Sequence, residues 1–257
     1  ISDAAFMVKG ISSIELPESL KTIGYGAFFG NNLSKIAIPS GVTYIDYDAF
    51  KANNLTNVVI PDSVTYMGWY AFASNSLTSV TISKNLSTIK YGAFQDNLLT
   101  EIDIPDSIKT IEFHAFYGNL LRSIDIPDGV RVIGNSAFEK NQLTSIRIPN
   151  SVTTIGNSAF RNNNLSEVFI PESVTSIGAN AFADNPSLQS ISIAADALFD
   201  HSIFPEGIQI IIRNSTDQVD LEQNQDINTS QVQTIEAEQT QNIDASQVQT
   251  IEVEQAQ

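Results

Sequence analysis

The chain has 257 residues with 29 acidic and 13 basic side chains, which give a formal net charge of −16. Because binding to phosphate groups requires a basic face, this charge argues against nucleic acid and anionic membrane surfaces as partners. The chain has no cysteine, which excludes disulfide bonds and thiol chemistry. No apolar run is long enough to insert into a membrane, and no signal peptide is visible. Residues 1–6 match the end of a repeat, which predicts a piece of a longer protein.

A 22-residue repeat occupies residues 1–193. Each copy begins with an apolar triplet such as Leu143, Ile146 and Ile148, and most copies continue with a proline such as Pro149. The alternation within the triplet predicts a short strand with one buried face, which the proline ends. Self-similarity at this period predicts a solenoid. The predicted strands are 11–16, 33–38, 55–60, 77–82, 99–104, 121–126, 143–148, 165–170 and 188–193.

The second half of each copy has three regular features. A second apolar pair, such as Val152 and Ile155, precedes a short helical or tight turn that contains Phe160, usually within an Ala-Phe pair. The phenylalanines recur every 22 residues and predict a buried aromatic spine. An asparagine follows each of them by three residues, from Asn31 to Asn185. We expect these amides to satisfy backbone groups of their own and neighbouring coils.

The pattern L-x-x-I-x-I-P-x-x-V-x-x-I-G-x-x-A-F-x-x-N resembles the BspA-type (treponemal-type) leucine-rich repeat, and the resemblance covers residues 4–193. It implies a β-rich repeat solenoid with a parallel β-sheet on the concave side and short turns or helical turns on the convex side. It also implies a bacterial protein that is secreted or exposed at the cell surface and used for adhesion or protein binding. Local departures are Ser83 in place of proline, and Asp46, Lys90 and Glu112 in place of glycine.

The sequence divides into a solenoid (1–193, first coil partial), a C-terminal cap (194–213) with a final strand near 208–212, and a tail (214–257). The tail is rich in Gln, Asn and Thr and contains a 16-residue repeat, which starts at Ile227 and again at Ile243. It has nine acids and no Lys or Arg, so −7 of the net charge remains for residues 1–213. Its composition fits either a solvated linker or a segment that pairs as strands in an assembly.

Residues for catalysis are scarce. The two histidines, His114 and His201, lie far apart in the sequence, and no nucleophile motif, phosphate-binding loop or metal-ligand spacing is present. We therefore predict a protein that is not an enzyme.

The outward residues of the concave strands form the first candidate site for a partner. In successive coils they change from small or apolar residues to Asp103 and Asp125, and then to Arg147 and Phe169, with Glu101 beside Asp103. The alternative interpretation is a solvated face without a partner. Glu101, Asp103 and Asp125 are also a weak candidate for binding calcium, which prefers oxygen ligands. The sequence indicates no other cofactor.

A second candidate site lies three residues before the repeat phenylalanine. Five successive copies have an aromatic residue there, and the next three copies have Asn, Asn and Ala. These side chains form either an exposed stripe that contacts carbohydrate or protein, or a half-buried ladder between coils. The stripe is Tyr25, Tyr47, Trp69, Tyr91 and Phe113.

Two functional hypotheses remain open. The first is a non-catalytic extracellular recognition or adhesion module that binds a protein or glycan through its solenoid surfaces. The second is a structural subunit of an extracellular fibre, sheath or surface layer, which self-assembles through solenoid ends and the tail.

Overall fold

The computed structural model describes residues 1–194 and 203–213. These residues form a parallel β-solenoid with a repeat of about 22 residues, as the sequence predicts. They contain no α-helix, so the stretch around each repeat phenylalanine is a tight turn. In chain order the strands are β1 (Thr22–Ile23), β2 (Tyr44–Ile45), β3 (Asn57–Val59), β4 (Tyr66–Met67), β5 (Ser79–Thr81), β6 (Thr88–Ile89), β7 (Thr110–Ile111), β8 (Val132–Ile133), β9 (Thr154–Ile155), β10 (Glu167–Ile170), β11 (Ser176–Ile177), β12 (Ser190–Ala194) and β13 (Gln209–Arg213).

The most regular sheet positions are in the second half of the repeat, where the sequence analysis assigned no strand. The second apolar pair supplies the inward residue of each two-residue strand, for example Ile23 in β1 and Ile45 in β2. Consecutive strands pair in parallel with a shift of 22 residues, so that Thr22 lies opposite Tyr44. The sheets run β1-β2-β4 and β6-β7-β8-β9-β11. One side chain of each pair points inward and the other outward, which is the period-2 alternation of a strand.

The first half of the repeat pairs less completely than predicted. Of the nine predicted strands, only 55–60, 77–82, 165–170 and 188–193 contain hydrogen-bonded strands, which are β3, β5, β10 and β12. The segments 121–126 and 143–148 meet only in an isolated bridge between Asp125 and Arg147. Ala and Asp have low β-propensity, and Asp103 and Asp125 are like charges on neighbouring coils. The strand near 208–212 is confirmed as β13.

The repeat phenylalanines form the predicted aromatic spine. Neighbouring rings from Phe6 to Phe182 have centroids 5.2–6.0 Å apart and planes within 13° of parallel. Every ring from Phe28 onward is buried. Complete burial of one such side chain contributes roughly 1.5–3 kcal/mol, so the spine is a main source of cohesion between coils.

The asparagine ladder is also confirmed. The Nδ2 of Asn53 donates to the carbonyl oxygen of Phe28 in the preceding coil at 2.8 Å and to that of Phe50 in its own coil at 3.1 Å. Its Oδ1 accepts a hydrogen bond from the Leu33 amide at 3.1 Å. The same three contacts recur in later coils, as at Asn97 and Asn163. The ladder thus satisfies backbone groups that the turns leave unpaired.

The tight turn has two positions of positive φ, two residues before and two after the phenylalanine. In the third coil these are Asp48 (φ 54°) and Ala52 (φ 56°). Between them, the Phe50 amide donates to the Ala71 carbonyl of the next coil at 2.8 Å. The left-handed conformation costs a non-glycine residue about 1–2 kcal/mol, and these inter-coil hydrogen bonds offset that cost.

Residues Ile1–Ile212 group into one compact unit. Residues 195–202 of the predicted cap, including His201, and the tail 214–257 lie outside the described residues. Linker and assembly roles for the tail therefore stay predictions.

Candidate functional site

The tyrosines, the tryptophan, Phe113 and His114 are gathered on one flank of the solenoid. All seven tyrosines and the single tryptophan of the chain lie between residues 25 and 117. Except for Tyr25, each has a ring contact with another member of the group. We name this surface the aromatic flank and define it as Tyr25, Tyr44, Tyr47, Tyr66, Trp69, Tyr70, Tyr91, Phe113, His114 and Tyr117.

The predicted stripe forms the outer row of the aromatic flank. Tyr47 stacks on Trp69 with ring centroids 5.0 Å apart, and Tyr91 stacks on Phe113 at 4.9 Å. Trp69 and Tyr91 meet edge-on, with planes at 79° and centroids 6.1 Å apart. The rings are thus packed on one another, yet 45% of Tyr25, 44% of Trp69 and 37% of Phe113 remain exposed. Four of the five residues thus form a ladder between coils that is also partly exposed, and contact of the stripe with carbohydrate or protein stays a prediction.

A second row of rings lies beside the first. Tyr44 in β2 and Tyr66 in β4 occupy paired outward positions and stack with centroids 4.5 Å apart. On the other side, Tyr70 contacts Tyr91 at 4.8 Å, and His114 contacts Tyr117 at 4.6 Å. None of these second-row residues belongs to the stripe predicted from the sequence. Tyr70 and His114 share one repeat position, two residues before the phenylalanine, and that spacing was a usable signal.

The ends of the stripe have a structural explanation. In the coils beyond Phe113 the same position holds Asn135 and Asn157, whose Oδ1 atoms accept from the next coil's amides at 2.8 and 2.9 Å. Before the stripe, Asp3 does the same for the Tyr25 amide at 2.9 Å. The flanking coils therefore use an acceptor side chain where the central coils place an aromatic ring. An aromatic residue at this position cannot accept that hydrogen bond from the next coil, and it adds partly exposed apolar surface instead.

Three departures from the repeat pattern surround the aromatic flank. Asp46 Oδ1 accepts from the Tyr47 amide at 2.8 Å, and Glu112 Oε2 accepts from the Tyr91 amide at 3.0 Å. Lys90 forms an ion pair with Glu112 at 3.9 Å. Each of these three residues replaces the usual glycine of the repeat. They supply the acceptors, and the neutralising charge, that the aromatic coils would otherwise lack.

Lysine side chains cover rings of the second row. The Nζ of Lys51 lies 4.2 Å from the centre of the Tyr70 ring, and that of Lys140 lies 5.0 Å from the Tyr117 ring. Lys90 lies 5.4 Å from the Tyr66 ring. An ammonium group at this distance is attracted by the negative face of the ring. The aromatic flank is therefore an amphipathic surface of rings, ammonium groups and carboxylates.

Burial changes the titration of several groups on this flank. Desolvation, with the neighbouring hydroxyl of Tyr47, raises the pKa of Tyr66 above its usual range. Desolvation, with the Tyr91 hydroxyl, likewise raises the pKa of Tyr70. The pKa of His114 is lowered by burial and by the charge of Lys140, while Glu139 and Asp96 oppose that shift. These groups are neutral near pH 7, so the aromatic surface carries its charge on the lysines and carboxylates.

The side chains of the predicted concave site are more exposed than those of the aromatic flank. Glu101, Asp103, Asp125 and Arg147 are exposed, and Phe169 is half-buried. The Arg147 guanidinium pairs with Asp128 at 2.9 Å, a residue that the sequence analysis did not select. The two side chains are 56% and 78% exposed, and such a pair contributes at most about 1 kcal/mol.

No group of three or more His, Cys, Asp or Glu within residues 1–194 and 203–213 is arranged to hold a metal ion. The structure thus does not gather Glu101, Asp103 and Asp125 into the calcium site considered from sequence. The same two ranges contain no helix that would cross a bilayer.

A sequence profile of the BspA type leucine rich repeat region matches residues 1–120 and 88–206 in six copies. The chain therefore belongs to the BspA-type leucine-rich repeat family. This family is defined by a repeat scaffold. No curated protein matches the chain.

Solved structures of similar fold come from other leucine-rich repeat proteins. A leucine-rich repeat protein from Bacteroides ovatus is 23% identical with a TM-score of 0.68, over 82% of this chain and 57% of its own. A leucine rich cell surface protein from Faecalibacterium prausnitzii is 24% identical with a TM-score of 0.54, over 83% of this chain and 62% of its own. The chain thus spans about three fifths of these neighbours, and the likeness shows the leucine-rich repeat fold.

Proposed function

We propose that this chain is a non-catalytic recognition or adhesion module that binds its ligand through the aromatic flank. The observation that carries the proposal is the clustering of the tyrosines and the single tryptophan within residues 25–117, where six of the seven tyrosines have ring contacts within the aromatic flank. Tyr and Trp are enriched at protein interfaces because each combines a large apolar area with a polar group and few rotatable bonds. A solenoid that needed only its core would not require them there.

The exchange of hydrogen bonds for rings supports the same proposal. Asn135 and Asn157 show that the stripe position can hold a polar residue that accepts a hydrogen bond from the next coil. Trp69 and Phe113 occupy the same position in other coils and leave large aromatic surface in water. The exposed part of these rings makes no contact that favours folding, so a role in binding accounts for it better.

The ligand is a protein or a glycan, and the charges beside the rings favour a protein. Tyr47 and Trp69 each cover one face of the other, as do Tyr91 and Phe113. The ring surface that remains exposed lies beside lysines and carboxylates. Such a mixed surface fits the aromatic and charged side chains of a protein partner.

We place the module at the bacterial cell surface as part of the proposal. The Faecalibacterium prausnitzii neighbour is described as a cell surface protein, and an acidic chain without cysteine is compatible with export. Antibody labelling of intact and permeabilised cells tests this location. Labelling that requires permeabilisation would contradict it.

The binding proposal is tested by selection from a phage-displayed random peptide library in parallel with a glycan array. The flank variant combines Trp69→Asn and Phe113→Asn, which copy the repeat's own residue at this position. The matched control combines Asp103→Ala and Arg147→Ala on the predicted concave face. We expect peptides that bind the wild type and the control but not the flank variant. Ligands that the flank variant retains and the control loses would instead assign binding to the concave face.

A further inference from the structure

We propose that the partner contacts the aromatic flank through arginine side chains. This inference rests on the proposed function and specifies the chemistry of its ligand. It is based on three features of the flank: carboxylates at its borders, lysines over its second row, and partly exposed first-row rings over which no lysine lies.

Carboxylates border the rings along the flank. Asp46 Oδ1 lies 3.4 Å from the Tyr44 hydroxyl, and Glu112 Oε2 lies 3.0 Å from the Tyr91 amide. Asp48 lies close enough to Tyr70 to affect its titration, and Asp96 and Glu139 similarly affect His114. Residues 1–213 have a net charge of −7, since the nine tail acids account for −9 of the total −16. This field attracts a cationic partner and disfavours an anionic one.

The chain's own lysines show how a cation sits on this surface. Lys51 is placed over the Tyr70 ring and is also paired with Asp48 at 3.1 Å. Lys90 lies over the Tyr66 ring and pairs with Glu112. In both cases one cation contacts a ring and a carboxylate together. The arrangement repeats in two coils, so it is a property of the flank and not of one side chain.

The outer row offers similar rings that no cation covers. Tryptophan is the strongest aromatic acceptor for a cation, yet Trp69 has no Lys or Arg over its ring within the described part of the chain. Tyr25 and Phe113 are uncovered in the same way, and all three rings are more than a third exposed. A partner's side chains would complete at these rings the contacts that the lysines make beside them.

Arginine fits these positions better than lysine. Its planar guanidinium stacks on aromatic surface and at the same time donates in a bidentate manner to a carboxylate. The spacing of rings and carboxylates follows the coils, which are one strand separation apart, about 4.8 Å.

The experiment uses peptides of alternating glycine and arginine, glycine and lysine, or glycine and citrulline. Trp69 is the single tryptophan of the chain, so its fluorescence reports binding directly on the flank. We expect a saturable change in Trp69 emission with the arginine peptide. The citrulline peptide, which keeps the shape but lacks the charge, should bind at least about tenfold more weakly. Equal affinity for the arginine and citrulline peptides would overturn the inference.

A pair of charge variants separates flank binding from general attraction to an acidic protein. Asp46→Asn with Glu112→Gln removes two charges beside the rings, while the side-chain oxygen atoms still accept the Tyr47 and Tyr91 amides. Asp103→Asn with Asp125→Asn removes two charges elsewhere. We expect the first pair to weaken the arginine peptide several-fold more than the second. Equal effects of both pairs would contradict arginine recognition at the flank.

Failure of this inference differs from failure of the proposed function. Library peptides that lack arginine but lose binding in the flank variant would overturn the arginine inference and support the recognition site. Peptides that bind the flank variant as well as the wild type would overturn both.

Discussion

Tyr47 and Trp69 stack across neighbouring coils with ring centroids 5.0 Å apart and planes 10° from parallel. At the equivalent position in later coils, Asn135 accepts a hydrogen bond from the amide of Asn157. The same 22-residue frame thus holds two different inter-coil contacts, one apolar and one polar. Because the frame accepts both, the position is free to be used for binding in the coils that have aromatic residues.

Replacement of Trp69 by asparagine should leave the fold intact. The ring is 44% exposed, and exposed substitutions usually change the free energy of unfolding by about 0.5 kcal/mol or less. We expect a small loss from the stacking with Tyr47, with an unchanged far-UV circular dichroism spectrum. Thermal denaturation measures the effect. A loss of several kcal/mol would show that the stripe is mainly structural and would weaken the proposed function.

Replacement of Asn53 by alanine should be far more damaging. It leaves the carbonyl oxygen of Phe28 and the amide of Leu33 without the side-chain partners they have in the ladder. Each buried group left unsatisfied costs about 1–3 kcal/mol, so we expect a loss of about 2–5 kcal/mol in urea denaturation. The matched control is Asn54→Ala at the next residue, whose side chain is exposed. Similar losses for the two variants would contradict a structural role for the ladder.

The raised pKa of Tyr70 predicts a loss of stability at high pH. Burial and the neighbouring Tyr91 hydroxyl favour the neutral phenol in the folded state. The unfolded chain releases this proton near pH 10, so the contribution is complete below about pH 10 and is lost as the pH rises through the higher folded pKa. We expect Tyr70→Phe to flatten the alkaline limb of the stability curve. An alkaline limb identical to that of the wild type would contradict this assignment.

The lowered pKa of His114 predicts the opposite dependence at acid pH. Burial disfavours the imidazolium in the folded state, and Lys140 adds to the effect. The unfolded chain takes up the proton below about pH 6.5, so the stability due to neutral His114 is present above that pH and is lost as the pH falls through the lower folded pKa. His114→Ser, which copies Ser136 and Ser158 of later coils, should reduce this slope. Nuclear magnetic resonance titration of the imidazole checks the direction, and a pKa above 6.5 would be contrary to it.

The periodicity of the sequence was sufficient to predict the solenoid, the spine and the asparagine ladder. The hydrogen bonds from the Asn53 side chain to backbone groups could be predicted because an asparagine recurs at one fixed point of every coil. Periodicity was not sufficient to locate the strands, because two-residue strands such as Thr22–Ile23 have too few residues to show an alternation. Incomplete pairing at Asp103 and Asp125 depends on the outward residues, which vary between coils and were treated as surface.

The candidate site was predicted in part. The five aromatic residues of the stripe were found from the sequence, but which way their rings face depends on contacts between coils. Asp46, Lys90 and Glu112 were seen only as departures from the repeat. In the structure they provide acceptors and charge for the aromatic coils. A single departure from the repeat pattern means little by itself. Several departures become informative when the structure places them beside the same surface.

The most direct test of recognition by the aromatic flank is the affinity of one library-selected ligand, measured by titration calorimetry with three proteins. These are the wild type, Trp69→Asn with Phe113→Asn, and Asp103→Ala with Arg147→Ala. We predict that the flank variant binds at least about tenfold more weakly, equivalent to about 1.4 kcal/mol, while the concave-face variant binds like the wild type. Unchanged affinity in the flank variant, with loss in the other, would contradict the account.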